Sequence, residues 1–196
     1  MVPREMVSIL LTELKVKKTD LCYDPACGTG GFILEFLHRF KNNANFIKNN
    51  VFGQEFLKDV YKTLSFNLLA NNFDTALQNL TIGDSIDNNA YHEKVLGKYD
   101  VVGANPPFGI SMPKTPKDYT IKVKNSVCCF LQHIYYSLKV GGRAGIVIDR
   151  GILNNGADKN GWETKLRKFL LSNTNIYKII NLPTGIFKHT NFATSV

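Results

Sequence analysis

The sequence has no long apolar run, no signal-like start and no repeated unit. No apolar stretch approaches the roughly 18 residues that a helix needs to cross a membrane. The first residues, Met1 to Glu5, are not followed by the apolar segment of a secretory signal. These absences argue against the membrane and secreted classes, so we expect a cytoplasmic globular protein with no membrane partner.

Metal-binding and disulfide patterns are also missing. The cysteines are Cys22, Cys27, Cys128 and Cys129, and their spacing fits neither a zinc site nor a disulfide framework. Each lies in an apolar context, which predicts buried free thiols in a reducing compartment. The four histidines share no metal-like spacing, and we predict no metal site.

Acidic residues are scarce relative to basic ones. Lys and Arg number 24 against 16 Asp and Glu, which gives a formal net charge of +8 over 196 residues. A basic balance favours a polyanionic partner without requiring one. The length predicts one domain with a sizeable core.

Strand-like and helix-like segments alternate along the chain. The predicted strands are 21–24, 51–55, 80–84, 99–104, 143–149 and 176–182. The predicted helices are 3–14, 29–40, 56–70, 126–139 and 162–171, with Gly141-Gly142 ending the fourth. This alternation predicts an α/β, doubly wound, Rossmann-like fold, in which a mostly parallel sheet is covered on both faces.

The most informative stretch is Asn105-Pro106-Pro107-Phe108, directly after the predicted strand 99–104. The two prolines end the strand and hold the Asn105 side chain and the Pro106 carbonyl at its carboxyl end, where ligands bind in open α/β sheets. An amide and a carbonyl placed side by side can accept both hydrogens of an amino group, and Phe108 can stack on the flat group that carries it. The alternative is an ordinary turn, because Asn-Pro commonly opens turns.

A glycine-rich segment joins the first predicted strand to the next helix: Asp24-Pro-Ala-Cys-Gly-Thr-Gly-Gly31. Gly28, Gly30 and Gly31 let the backbone approach a ligand closely, and the N-terminus of the following helix favours negative charge. No glycine stands three places after Gly30, so this is not the dinucleotide fingerprint. A tight strand-to-helix turn is the alternative, but three glycines and an acid exceed what a turn requires.

Two acids end the second and third predicted strands. Glu55 is placed to accept both hydroxyls of a ribose, and Asp84 is placed to accept from an adenine amino group. A helix N-cap is the competing interpretation. It is stronger for Asp84 than for Glu55, because Glu is a poor N-cap.

These motifs, taken in order, resemble those of S-adenosylmethionine-dependent N6-adenine DNA methyltransferases. They are Asp24-Pro-Ala-Cys-Gly-Thr-Gly-Gly-Phe32, Gly53-Gln-Glu55, Gly83-Asp84 and Asn105-Pro-Pro-Phe108. More narrowly, the chain resembles the catalytic core of the modification subunit of type I restriction-modification systems. Three later stretches share that resemblance, which covers nearly the whole chain: Phe130-Leu-Gln-His133, Gly141-Gly-Arg-Ala144 and Leu182-Pro-Thr-Gly-Ile-Phe187.

The resemblance implies roles for individual residues. The cofactor would be S-adenosylmethionine, with Glu55 on its ribose and Asp84 on its adenine. The other implied cofactor contacts are Asp24, Ala26, Gly28, Thr29, Gly30 and Gly31, together with Pro3 and Arg4. The family has a Thr-Pro pair that touches the cofactor just before its first helix, and this pair reads Val2-Pro3 here. Catalysis would fall to Asn105, Pro106, Pro107 and Phe108, which would bind the amino group and the ring of the target adenine.

The family also has a helical domain before this core and a seventh strand after it. Residues 1–196 are therefore expected to form a single methyltransferase domain that is a fragment of a longer subunit. The partners implied are DNA, the specificity subunit and the restriction subunit.

A basic loop follows the Asn-Pro-Pro-Phe motif. It spans 111–125 and carries Lys114, Lys117, Lys122 and Lys124. Its position beside the motif favours contact with phosphates, and a solvated loop is the alternative. For Lys165, Arg167 and Lys168 we favour a solvated helix face.

Other functions share parts of this pattern. A protein glutamine methyltransferase would use the same Asn-Pro-Pro arrangement, usually with Tyr at the position of Phe108. An inactive relative that binds only nucleic acid or a partner subunit is a second alternative. An oxidoreductase is a third, although the dinucleotide fingerprint is missing.

Overall fold

Five parallel strands form the main sheet in the computed structural model, which describes residues 3–87, 95–112, 115–116, 118–154, 160–183 and 193–196. The strands are β1 Cys22–Asp24, β2 Val51–Glu55, β3 Leu80–Ile82, β4 Tyr99–Ala104 and β5 Leu138–Ile146. Their order is β3-β2-β1-β4-β5. The order reverses beside β1, which places a crevice between the carboxyl ends of β1 and β4.

Helices connect these strands. They are α1 Arg4–Glu13, α2 Gly31–Arg39, α3 Ala44–Asn49, α4 Lys58–Ala70, a 3₁₀ helix Asp74–Asn79, α5 Ser126–Ser137, α6 Gly151–Asn154 and α7 Trp162–Asn173. Within the described ranges, no helix is long and apolar enough to cross a membrane. The short α3 was not predicted, although Asn43 caps it by accepting a hydrogen bond from the Phe46 amide at 3.0 Å.

Separate apolar cores cover the two faces of the sheet. On one face, Leu11, Phe36 and Leu64 from three helices are fully buried. On the other face, Val102 of β4 packs with Phe130 of α5. Each buried Leu or Phe contributes about 1.5–3 kcal/mol of transfer free energy. The predicted doubly wound fold is confirmed.

The Gly141-Gly142 pair does not end a helix, so that prediction was wrong. Helix α5 ends at Ser137, and β5 begins at the next residue. Tyr99 of β4 pairs with Leu138 of β5, whereas Val101 of β4 pairs with Arg143 of β5. Between these two pairs, β5 therefore contains more residues than β4 and forms a bulge. Gly141 has a φ of +77°, which lets the chain loop out there.

The predicted strand 176–182 is also wrong for most of its length. Residues 180–182 do pair with 194–196, because Ile180 and Val196 exchange two backbone hydrogen bonds and Asn181 bridges Ser195. Residues 176–179 are exposed and pair with no strand of the described residues. The apolar residues favour a strand, but a strand needs a paired neighbour. An apolar cavity of about 1070 Å³ lies between this segment and β5.

Two short strands lie outside the main sheet. β6 Ile148–Asp149 pairs antiparallel with β7 Thr194–Ser195. Arg150 joins them by donating to the carbonyls of Leu182 at 2.9 Å and Thr194 at 3.3 Å. The predicted strand 143–149 is thus divided between β5 and β6.

The prediction that Lys165, Arg167 and Lys168 form a solvated face of α7 is wrong for Arg167. Lys165 and Lys168 are exposed. Arg167 donates to the Ile152 carbonyl at 2.6 Å, so it fastens α7 to α6. Of the residues named from the sequence, Met1, Val2, Lys114, Lys117 and 184–187 lie outside the described residues.

Gly103 provides a test of sheet packing. A Cβ at this position in β4 would stand against the ring of Phe32 on α2. We expect Gly103→Ala to lower the free energy of unfolding by about 1–3 kcal/mol, because the ring or the strand must shift. Urea denaturation measures the change.

The matched control is Gly31→Ala at the start of α2, where a Cβ would meet nothing within 4 Å. This substitution should leave stability unchanged or raise it by up to about 1 kcal/mol. Equal stabilities for Gly103→Ala and wild type would contradict the close packing of β4 against α2.

Candidate functional site

Glu55 joins the end of β2 to the glycine-rich loop. Its carboxylate accepts a hydrogen bond from the Gly28 amide at 2.8 Å through Oε2 and from the Leu57 amide at 2.9 Å through Oε1. The side chain is 9% exposed. The structure therefore brings Glu55 and the glycine-rich loop together.

Asp24 ends β1 on the floor of the same crevice. Its side chain is buried, and Oδ1 accepts from the Ala26 amide at 2.9 Å. Burial raises the pKa of Asp24 to about 7, and the nearby Glu55 carboxylate acts in the same direction. Asp24 can therefore change its charge close to neutral pH.

Packing and a side-chain amide fix the shape of the loop. Gly30 has a φ of +101°, and a Cβ on it would lie 2.5 Å from Leu64 Cδ1 of α4. Asn67 of α4 donates to the Thr29 carbonyl at 2.9 Å. Sequence reasoning missed Asn67, because it bonds to a backbone atom 38 residues away.

Cys27 turns inward from the same loop. Its amide donates to the Gln54 carbonyl at 3.0 Å. Its sulfur stands where a Cβ on Gly53 would be, so β2 needs glycine at that position. This contact explains why Gly53 stands two residues before Glu55.

Open space lies beside two glycines of the loop. A Cβ on Gly28 or Gly31 would meet no atom of the described residues within 4 Å. Gly31 is also the first residue of α2, whose N-terminal amides point out of the helix. The loop can thus admit a ligand against its backbone.

The Asp84 turn is held next to this loop. Asp84 Oδ1 accepts from the Ile86 amide at 2.9 Å, so the side chain caps a turn rather than a helix. Ser85 donates to the Pro25 carbonyl at 2.6 Å, which brings the turn against the glycine-rich loop. Ser85 had no signal in the sequence.

Pro3 and Arg4 lie at the start of α1. The Pro3 carbonyl accepts from the Val7 amide at 3.2 Å. Arg4 pairs with the largely buried Glu35 of α2, with 3.3 Å between Nε and Oε2. The Pro3 contact stays within α1 and the Arg4 contact leads to α2, so neither contact reaches the glycine-rich loop.

The Asn-Pro-Pro-Phe motif follows β4 directly. Asn105 Oδ1 is buried and has no hydrogen-bond partner in the described part of the chain. Leaving a buried acceptor unpaired costs about 1–3 kcal/mol. Pro106 is buried beside it, and Ser126 at the start of α5 donates to the Pro107 carbonyl at 2.8 Å.

Phe108 packs at the border of two apolar clusters. It also lines a small cavity of about 100 Å³ with Asp149 and Trp162. The structure therefore places a fixed acceptor and an aromatic ring at the carboxyl end of β4.

A doubly wound sheet with strand order 3-2-1-4-5 and a glycine-rich loop after β1 defines a class I S-adenosylmethionine-dependent methyltransferase fold. A putative member of that class from Listeria monocytogenes has this fold, with a TM-score of 0.71 and 19% identity over 100% of this chain and 59% of that one. The chain belongs to the N-6 DNA Methylase family, whose model matches residues 1–196.

Similar proteins include methylase subunits of type I restriction enzymes. The StySPI methylase subunit of Salmonella potsdam and the EcoKI methylase subunit of Escherichia coli are each 27% identical over 99% of this chain. The chain spans 38% of the length of each. The crystal structure of the EcoKI M protein matches with a TM-score of 0.83 and 25% identity, over 100% of this chain and 42% of that one.

The pKa of Asp24 predicts a specific pH dependence of stability. Between about pH 4 and 7 the folded protein keeps a proton on Asp24 that the unfolded chain loses. This group therefore lowers the free energy of unfolding as the pH rises through that window. In the wild type, this titration should lower the free energy of unfolding by an amount on the order of a few kcal/mol between pH 5 and pH 8. We expect Asp24→Asn to remove this decrease.

His133 acts in the opposite direction, because burial lowers its pKa to about 3. The informative measurement is therefore the difference between Asp24→Asn and wild type in urea denaturation at each pH. A difference that does not change with pH would show that Asp24 titrates normally in the folded protein.

Proposed function

We propose that this chain transfers a methyl group from S-adenosylmethionine to the N6 amino group of adenine in DNA. The carrying observation is the buried Oδ1 of Asn105 at the carboxyl end of β4, which has no hydrogen-bond partner within the described ranges. An acceptor held without a partner suits an incoming donor, and the adenine amino group supplies two hydrogens. Membership of the N-6 DNA Methylase family supports adenine over a protein glutamine as the acceptor.

The residues at the carboxyl ends of β1 and β2 suit the cofactor. Glu55 offers a carboxylate to the ribose, and the open space at Gly28 and Gly31 leaves room against the loop backbone. We assign Asp24, Ala26, Thr29 and Gly30 to the methionine moiety and Asp84 to the adenine. When bound, S-adenosylmethionine supplies a methyl group activated by its sulfonium.

Pro3 and Arg4 are the least supported of the proposed cofactor contacts. Arg4 already pairs with Glu35, which lies on α2. We propose that both residues contact the cofactor from the start of α1.

Asn105 and Pro106 act on the nucleophile. The lone pair of the adenine amino group is delocalised into the ring, which makes the nitrogen a weak nucleophile. By accepting both hydrogens, Asn105 Oδ1 and the Pro106 carbonyl raise the electron density on that nitrogen. The protein then contributes mainly position and electrostatics, and no strong base is required.

The target base must leave the double helix to reach Asn105. Flipping costs a few kcal/mol of stacking and pairing. We propose that Phe108 stacks on the extruded adenine and that this contact offsets part of the cost. Pro107 fixes the position of Phe108 relative to Asn105, because the Pro107 carbonyl accepts a hydrogen bond from Ser126.

We further propose that the chain is the catalytic domain of a type I modification subunit. Its relatives are methylase subunits of type I restriction enzymes, and it spans 38% of the length of the StySPI and EcoKI subunits. A specificity subunit would then read the DNA sequence, and a restriction subunit would join the complex. The proposed compartment is the cytoplasm.

Asn105 provides the most direct test. Asn105→Ala removes the proposed acceptor and leaves the glycine-rich loop and Glu55 unchanged. We expect methyl transfer to fall by at least about 100-fold, while the dissociation constant for S-adenosylmethionine stays within a few-fold of wild type. The measurement is transfer of a radiolabelled methyl group to adenine-containing DNA by the full-length protein with its specificity subunit.

Asn105→Asp is the matched variant, because a carboxylate also accepts hydrogen bonds. We expect it to keep partial activity. Transfer at the wild-type rate by Asn105→Ala would mean that the motif is only a turn.

Glu55 tests the cofactor assignment. We expect Glu55→Ala to weaken S-adenosylmethionine binding at least several-fold, since a lost charged hydrogen bond costs on the order of 1.5–3 kcal/mol. The variant should also melt at a lower temperature, because the Gly28 and Leu57 amides lose their acceptor. Calorimetry measures the affinity.

The control is Asp59→Ala, which removes an exposed acid of α4 that pairs with Lys62. It should leave cofactor affinity unchanged. Wild-type affinity in Glu55→Ala would contradict the ribose contact.

A further inference from the structure

The segment between Phe108 and α5 is fastened at its base. The Met112 amide donates to the Lys124 carbonyl at 2.8 Å, and the Ser126 amide donates to the Ile110 carbonyl at 3.0 Å. Because Ser126 also holds the Pro107 carbonyl, the base of this loop is tied to the Asn-Pro-Pro-Phe motif.

Gln132 of α5 holds the far side of the loop through a paired contact. Its Oε1 accepts from the Ile121 amide at 2.8 Å, and its Nε2 donates to the Ile121 carbonyl at 3.2 Å. The Gln132 side chain is fully buried. Burying a side-chain amide costs free energy unless the amide is hydrogen-bonded. The bonds to the Ile121 backbone therefore allow Gln132 to be buried.

His133, the next residue of α5, links the loop to the sheet. Its Nδ1 lies 3.2 Å from the Tyr119 hydroxyl, and its Nε2 lies 3.1 Å from the Tyr23 hydroxyl of β1. Burial lowers the pKa of His133 to about 3, so the ring is neutral at physiological pH. Tyr23 directly precedes Asp24 of the proposed cofactor site.

Tyr136 provides a third contact, one turn further along α5. Its hydroxyl lies 2.9 Å from Thr120 Oγ1. Its ring also stacks on Tyr119, with 5.8 Å between ring centroids. Three consecutive residues, 119–121, are thus each bonded to α5, and we call Gln132, His133 and Tyr136 the loop clasp.

The loop clasp determines where two basic side chains lie. Lys122 directly follows the clasped residues, Lys124 belongs to the fastened base through its carbonyl, and both side chains are exposed. Lys122 donates to the Pro116 carbonyl at 3.0 Å, which fixes its stem within the loop. The two lysines therefore sit on a segment that is fixed at both ends relative to Asn105.

We propose that the loop clasp is a positioning device for DNA, which holds Lys122 and Lys124 against the phosphates of the strand that carries the target adenine. This inference rests on the proposed function. The clasp residues are positioning residues, because they touch the loop and the sheet rather than the substrate. Loss of the clasp should weaken DNA binding and leave cofactor binding unchanged.

The test compares DNA and cofactor binding in the full-length protein with its specificity subunit. The variants are Gln132→Leu, Tyr136→Phe and Thr120→Val, and the last two remove the same contact from either side. For each variant, calorimetry measures S-adenosylmethionine binding, and titration of a fluorescent mixed-sequence duplex at several salt concentrations measures DNA binding. The KM for unmethylated plasmid DNA is measured separately.

We expect Gln132→Leu to weaken duplex binding by about fivefold or more, the effect of losing hydrogen bonds worth roughly 1 kcal/mol. The logarithm of the binding constant, plotted against the logarithm of the salt concentration, should have a smaller slope, by about the amount that one phosphate contact contributes. The dissociation constant for S-adenosylmethionine should stay within about twofold. Tyr136→Phe and Thr120→Val should each raise the KM for DNA, and the double variant should be no worse than either.

The control is Tyr135→Phe, which removes a hydroxyl from the neighbouring residue of α5. The Tyr135 ring packs on Tyr136 and Phe169, and its hydroxyl makes no hydrogen bond within the described residues. It should leave both affinities unchanged.

Wild-type DNA affinity and salt dependence in Gln132→Leu and Tyr136→Phe would overturn the inference. Equal losses of DNA and cofactor binding would also overturn it, because they would show a general structural role. If Gln132→Leu does not fold, Tyr136→Phe and Thr120→Val decide the question. A wild-type protein that binds the duplex but methylates no adenine would contradict the proposed function alone, since duplex binding still tests the clasp.

Discussion

The site depends on β1 lying between β2 and β4 with all three strands parallel. Cys22 of β1 is in register with Val51 of β2 and with Val101 of β4. Because the strands point the same way, the loops that follow them meet at one edge of the sheet. Asp24, Glu55 and Asn105 come from three separate parts of the chain, and this arrangement alone brings them to that edge.

The same edge concentrates groups that are costly to bury. The two carboxylates of Asp24 and Glu55 lie close together, and one oxygen of Asn105 has no partner among the residues that the structure describes. The apolar cores on both faces of the sheet supply the stability that tolerates these costs. A ligand that pairs with Asn105 or neutralises the acids would recover part of the free energy that is spent on burying these groups. Unfavourable local interactions at a functional site can favour ligand binding in this way.

The fold could be predicted because alternating strands and helices leave few arrangements. Asp24, Glu55 and Asn105 could be placed because strand ends are visible in the sequence. The unpaired part of the predicted strand 176–182, residues 176–179, could not be foreseen, since apolar residues reveal a tendency to form a strand but not whether a partner lies beside it. Ser85 and Gln132 escaped prediction because their partners are backbone carbonyls or amides, which no side-chain pattern marks.

Cys27 shows how the packing of β2 protects the proposed cofactor loop from oxidation. Its sulfur lies against Gly53, and burial raises its pKa well above the usual value. Oxidants and alkylating reagents react with the thiolate, which is scarce at this position at neutral pH. A cysteine in the middle of the loop therefore does not make the loop sensitive to redox conditions. Thiol reagents that inactivated the protein would have to act elsewhere or on an opened state.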